Sequence, residues 1–237
     1  MASMGELYRN NWILTNAKEE DLTKHKCSYL AILDGINGGL MERKLAARLI
    51  PKFYKLFPDL SAAAFRTQLY LCNDIDTSVR HQALRGLTLF ATEENLPCIA
   101  DVLMKLLKTD NMPELDLANN ALLHILKIDA KGTLRKLIYQ IRTGKDIVRE
   151  RAINFLSLKL KTLPEEVMTK KVEKLILSKS KKVLKKVNGD QYLQFIKILS
   201  SFKSMQNDSG RQLLIDLVSK LHESLNLDVD YIDHLIE

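Results

Sequence analysis

An arginine three residues ahead of an alanine, within a run whose apolar positions keep helical spacing, recurs along this chain. In DTSVRHQALRGL, which begins at Asp76, the residues Val79, Arg80, Ala83 and Leu87 reappear as Val148, Arg149, Ala152 and Leu156 of DIVRERAINFL, each 69 positions later. On a helix the apolar members fall on one face and the charged ones largely on the other. An offset of that length is about two units of a helical-hairpin solenoid, whose repeats run ~34–47 residues. LANNALLHIL supplies an intermediate copy at Ala121, and ERKLAARLIPKF an earlier one with Arg43 and Ala46. Alanines 46, 83, 121 and 152 are spaced by 37, 38 and 31 residues, which suits degenerate repeats with variable loops.

The repeated alanine has a physical reason. Two helices approach closely only where a side chain at their crossing is small, and stacked hairpins then share a buried seam. The acid before each arginine suits a helix N-cap, as Asp76 and Asp146 would be, and the arginine can reach an acid of its own or the neighbouring repeat. A second helical pattern and a breaker precede each copy: PDLSAAAFRTQLYLC, LPCIADVLMKLLKT and KGTLRKLIYQIRTG. The D-x-x-V-R-x-x-A pattern resembles the second helix of HEAT repeats. The expected fold is therefore all-α, a right-handed α-solenoid of HEAT-like hairpins, with residues 1–237 forming one domain of about five to six hairpins.

Motifs for chemistry are missing from the sequence. Histidines 25, 81, 124, 222 and 234 have no metal-ligand spacing, and no nucleophile elbow or phosphate loop occurs. The Asp34–Gly39 stretch DGINGG lacks the lysine and the preceding strand of a nucleotide loop, and reads as a helix end and linker. Cys27, Cys72 and Cys98 are widely spaced and odd in number, so they read as reduced core thiols. LMKLL, at 103–107, matches a receptor-docking pattern, but the same spacing describes a buried core helix. No signal-peptide pattern and no run of the ~20 apolar residues needed to span a bilayer is present. The reading is a protein with no catalytic, cofactor or metal residues and no membrane contact.

Charge is concentrated. The net charge is +7, and the window Lys159–Lys186 holds ten lysines against three glutamates, so it accounts for all of it. TLPEEVMTKKVEKLILSKSKKVLKKVNGD is expected to be a helix opened by a Thr162–Glu165 capping box and closed by Asn188-Gly189. Its lysines suit a solvated face, contact with an acidic protein, or nucleic-acid binding. The absence of arginines and interleaved aromatics from the run argues against nucleic acid. Lys181, Lys182, Lys185 and Lys186 are the candidates for such a contact.

ELYRNNWIL, LAARLIPKFYKLFPDL, ATEENLP, NNALLHILKIDAKGTL, DIVRERAINFLSLKLKTLPEEV and SGRQLL resemble, in order, the N-terminal half of the apoptosis inhibitor 5 family. The resemblance implies a non-enzymatic protein-interaction scaffold that restrains programmed cell death in the nucleus. It implies as partners a basic fibroblast growth factor and a pro-apoptotic nuclear chromatin-condensation factor. The family continues into an armadillo-like half with a leucine-zipper-type helix and a basic localisation tail, both beyond this sequence, so the expected location is nucleus or cytoplasm. The face toward the growth factor resembles an acidic patch. Here Asp146 and Asp190 remain, Lys185 and Lys186 stand where acids are expected, and Gln191 replaces another. Binding to a basic partner is accordingly expected to be weak. Partial exposure of Leu217, Leu221, Ile232 and Ile236 near the end is expected to drive weak self-association.

Overall fold

The computed structural model describes residues 2–225, which form twelve α-helices and seven short 3-10 turns, with no β-strand among the described residues. The helices are α1 (Met4–Asn16), α2 (Lys26–Asp34), α3 (Leu40–Phe53), α4 (Ser61–Leu71), α5 (Thr77–Leu87), α6 (Leu96–Leu106), α7 (Met112–Ile128), α8 (Ala130–Thr143), α9 (Asp146–Lys159), α10 (Lys170–Leu184), α11 (Gly189–Ser200) and α12 (Asp208–Leu225). The all-α hairpin architecture agrees with the sequence reading. Two compact units divide the chain, 1–125 and 126–237.

In the first unit α1, α3 and α5 pack side by side, while α2 and α4 pack against them to complete helical pairs. Ala46 and Ala83 are fully buried, as the small-residue seam requires. The approach is tight beside Ala46, where a Cβ added to Gly35 would lie 2.9 Å from the alanine's own Cβ. The Asp34–Gly39 stretch is a helix end followed by a 3-10 turn, as its glycines suggested. Leu103, Met104 and Leu107 are buried, so the LMKLL pattern belongs to the core.

A three-helix joint forms around Pro51, inside α3. Proline lacks an N–H, so the carbonyl four residues earlier, that of Ala47, loses its helical donor. The buried Gln68 of α4 supplies one: its Nε2 donates to Ala47 O at 3.2 Å and to Ala83 O of α5 at 2.8 Å. Gly86 lets α5 close on this joint, since a Cβ there would lie 2.5 Å from Pro51 Cγ and 3.1 Å from Gln68 Nε2. Alanine favours a helix interior over glycine by ~1 kcal/mol, but overpacking a rigid proline ring costs roughly 1–3 kcal/mol. Gly86→Ala is therefore expected to lower stability by about 1 kcal/mol, read as a lower urea midpoint at unchanged slope.

In the second unit α8 packs on α9 and α10, and α9 on α11. Several sequence expectations need correction here. Thr162 and Glu165 form no capping box; Leu163 before Pro164 is extended and buried, and α10 starts only at Lys170. Thr162 instead donates its hydroxyl to Lys159 O at 2.8 Å. Asn188 does not close that helix but opens α11, in a capping box with Gln191. Asp146 is the first helical residue of α9 and not its N-cap, which is Lys145. The pattern at Asp146, one residue shorter than that at Asp76, accounts for the shift.

Leu217 is buried, contrary to the exposure expected of it. The side chain of Leu221, and residues Ile232 and Ile236, lie outside the described residues. Of the cysteines only Cys72 is a core thiol, and burial pushes it up to about 12. Cys27 and Cys98 are exposed, because each sits in the first turn of its helix with its neighbours Ile99 and Tyr29 taking the buried face.

Candidate interaction surface

The signature arginines are structural clamps. Arg43, Arg80 and Arg149 each donate to the carbonyl five residues upstream, on Gly38, Ile75 and Gly144, at 3.2, 3.1 and 3.2 Å. The guanidinium thus satisfies carbonyls left open in the turn before its helix. The same side chain then looks for an acid. Arg43 holds both carboxylate oxygens of Asp74, in the next hairpin, at 2.7 and 3.3 Å. Arg80 reaches Glu114, again one hairpin ahead, at 2.7 Å. Asp76 is an N-cap, as expected, accepting from Ser78 N at 2.8 Å.

The pairing acids Asp74 and Glu114 escaped sequence reasoning. They lie at different positions relative to their own repeats, so no fixed spacing marks them. Glu114 is buried, with its side chain 4% exposed, and also accepts from Thr109 Oγ1 at 2.8 Å. Burial raises its pKa, but the bonds from Arg80 and Thr109 outweigh that and hold it below 4.5. In the second unit the pattern changes: Arg149 turns to its own Asp146 at 2.7 Å and to Ile141 O at 3.0 Å. The Asp146 side chain is 87% exposed, and such a surface pair is worth at most about 1 kcal/mol. Val79 and Val148, like Ala83 and Ala152, are buried seam residues.

The lysine-rich segment becomes α10 and its following turn. Lys170, Lys171, Lys174, Lys179, Lys181 and Lys182 are all exposed, as are Lys185 at the C-cap and Lys186 beyond it. Val172, Ile176, Val183 and Leu184 turn inward. The one acid of the helix, Glu173, is buried and offers no carboxylate at the surface: it accepts from the backbone N–H groups of Lys203 and Ser204 at 3.0 and 3.1 Å. It caps the 3-10 turn at Lys203–Met205, a role the sequence did not reveal. Glu165 is paired with the Lys203 ammonium, which holds its pKa below the usual range. Every exposed ionisable residue of α10 is therefore a lysine.

Hairpin stacking of α8 on α10 and α9 on α11 sets the two intra-hairpin turns, 144–145 and 185–188, on one edge. Asp146, Lys185, Lys186 and Asp190 belong to that edge, and all four are exposed. Lys181 and Lys182 approach it in the last turn of α10, where cations also complement the helix dipole. Gln191, read as the replacement of a surface acid, is buried in its capping box with Asn188.

Residues 4–237 match the family model described as apoptosis inhibitory protein 5. The chain is 54% identical over its whole length to apoptosis inhibitor 5-B of Xenopus laevis and to apoptosis inhibitor 5 of Homo sapiens, covering 46% of each. It is 34% identical to the apoptosis inhibitor 5 homolog of Drosophila melanogaster, covering 45% of it. The chain thus spans just under half the length of these relatives. No helix among the described residues is long and apolar enough to cross a membrane.

Proposed function

Because the chain belongs to the apoptosis inhibitory protein 5 family, we propose that it is a non-enzymatic scaffold that restrains programmed cell death by binding other proteins in the nucleus or cytoplasm. The observation that carries the choice of surface is the acid-free lysine face of α10, continuous with Lys185 and Lys186. A lysine field of this kind steers acidic partners and repels basic ones. The basic growth factor implied by family resemblance is therefore a poor partner, whereas the pro-apoptotic nuclear factor remains a candidate.

Titration with the basic fibroblast growth factor is expected to show no saturable binding at micromolar concentration. Lys185→Glu with Lys186→Glu is expected to restore it, since like-charge juxtaposition costs several kcal/mol. Micromolar or tighter binding by the unaltered chain would overturn this reading.

The same lysines favour one second reading, a basic module for nucleic acid or acidic proteins through Lys170–Lys186. Retention on a polyanion column should then fall steeply with salt. It should be lost on reversing Lys181, Lys182, Lys185 and Lys186, and no retention of the unaltered chain at about 0.15 M salt would sink it.

A further inference from the structure

The first unit carries a second surface, on α1, α3 and α5. Met4 and Tyr8 of α1 face Met41, Lys44, Leu45 and Arg48 of α3 across a groove of about 150 Å³. Leu45 is buried and forms the floor, while Met41 stands exposed on the wall. Tyr8 is 52% exposed, and Trp12, one turn further along α1, is 67% exposed. The helix has no fold-related use for them, since its inward face is already filled by Leu7, Asn10 and Leu14. Exposed Tyr, Trp and Met clustered on one face mark a contact surface.

Charge selects the occupant. Lys44 and Arg48 stand one turn apart on α3, both exposed, and no acid lines the groove. Lys52 continues the row, tied by its ammonium to Asn11 Oδ1 at 3.0 Å and Thr15 Oγ1 at 2.8 Å across the α1–α3 seam. Met4, Met41 and Leu45 supply the groove's apolar part beside Tyr8 and Gln82, and methionine adapts its shape to an incoming apolar side chain.

We propose that this groove binds an acidic amphipathic segment of a partner protein, which seats one aliphatic side chain between Met4, Met41 and Leu45 and sets its carboxylates against Lys44 and Arg48. The mode is that of a helix laid in a groove. It goes beyond the α10 reading and does not rest on it.

Trp12 is the only tryptophan of the chain, so its emission reports on this face alone. The probe is a peptide of about 15 residues with leucines at helical spacing and glutamates elsewhere, titrated into the full chain. Saturable change in Trp12 emission is expected. Lys44→Glu with Arg48→Glu should weaken binding by about tenfold or more. The reversal of Lys181, Lys182, Lys185 and Lys186 should leave it within about twofold, since none of these residues lines the groove. Met41→Ser, which leaves charge untouched, should weaken binding severalfold and serves equally if the double reversal fails to fold. The proposal is overturned if the peptide leaves Trp12 emission unchanged, or if neither α3 variant alters binding. It is also overturned if a uridine oligonucleotide competes on equal terms, or if only the α10 reversal abolishes binding.

Discussion

Replacing Arg80 with alanine is expected to destabilise the protein by about 3–5 kcal/mol, the usual result of removing one partner from a buried ion pair. Glu114 would keep its place beside Thr109 but lose the guanidinium that holds its carboxylate charged. The carbonyls of Asp74 and Ile75 would lose their donors as well. Arg80→Lys should recover only part of the loss, because a single ammonium cannot serve the carboxylate and the turn carbonyls in one plane.

Acid should act on the same clamp. The folded-state pKa of Glu114 lies below its ordinary 4.5, so its contribution is present above pH ~4.5 and fades as pH falls through the lower folded value. Urea unfolding from pH 7 to pH 3 would show this as a decline that is shallower in Arg80→Ala. An unchanged decline would place the acid sensitivity elsewhere.

A loss of about 3–5 kcal/mol is also expected for Phe90→Ala, the usual range for emptying a buried aromatic site. Phe90 is fully buried, with its ring 4.3 Å from that of Tyr54 and 5.7 Å from that of Phe65. It follows α5 in a 3-10 turn, while Tyr54 comes from the turn after α3 and Phe65 from within α4. The Tyr54 hydroxyl donates to Leu89 O at 2.6 Å, which fixes the turn and prevents easy collapse of the cavity. Phe90→Leu should cost clearly less, because much of the volume stays filled. Equal costs would show that ring geometry dominates over volume.

The repeat was legible because helix period and a small-residue crossing are local in sequence. Ala46, Ala83 and Ala152 needed only their own neighbours to be read as seam residues, and they are fully buried. Most of what the sequence concealed depends on partners thirty or more residues away. Glu173 looked like one acid among lysines, yet it is a buried cap for a distant turn. Asp74 and Glu114 became readable only when the arginines showed where they point. Asn188 misled because Asn-Gly suits both a helix end and a helix start, and Gln191 three residues on decided it. The lysine face was visible from composition, whereas its freedom from acids was not, since that follows from the burial of Glu173.

The long-range polar clamps share one further property. Arg43 to Asp74, Arg80 to Glu114 and Glu173 to Lys203 span 31, 34 and 30 residues. As the chain leaves the ribosome from its N-terminus, each clamp closes once a single further hairpin has emerged. Nascent arginine and carboxylate partners thus wait only briefly, and low contact order favours rapid stepwise folding.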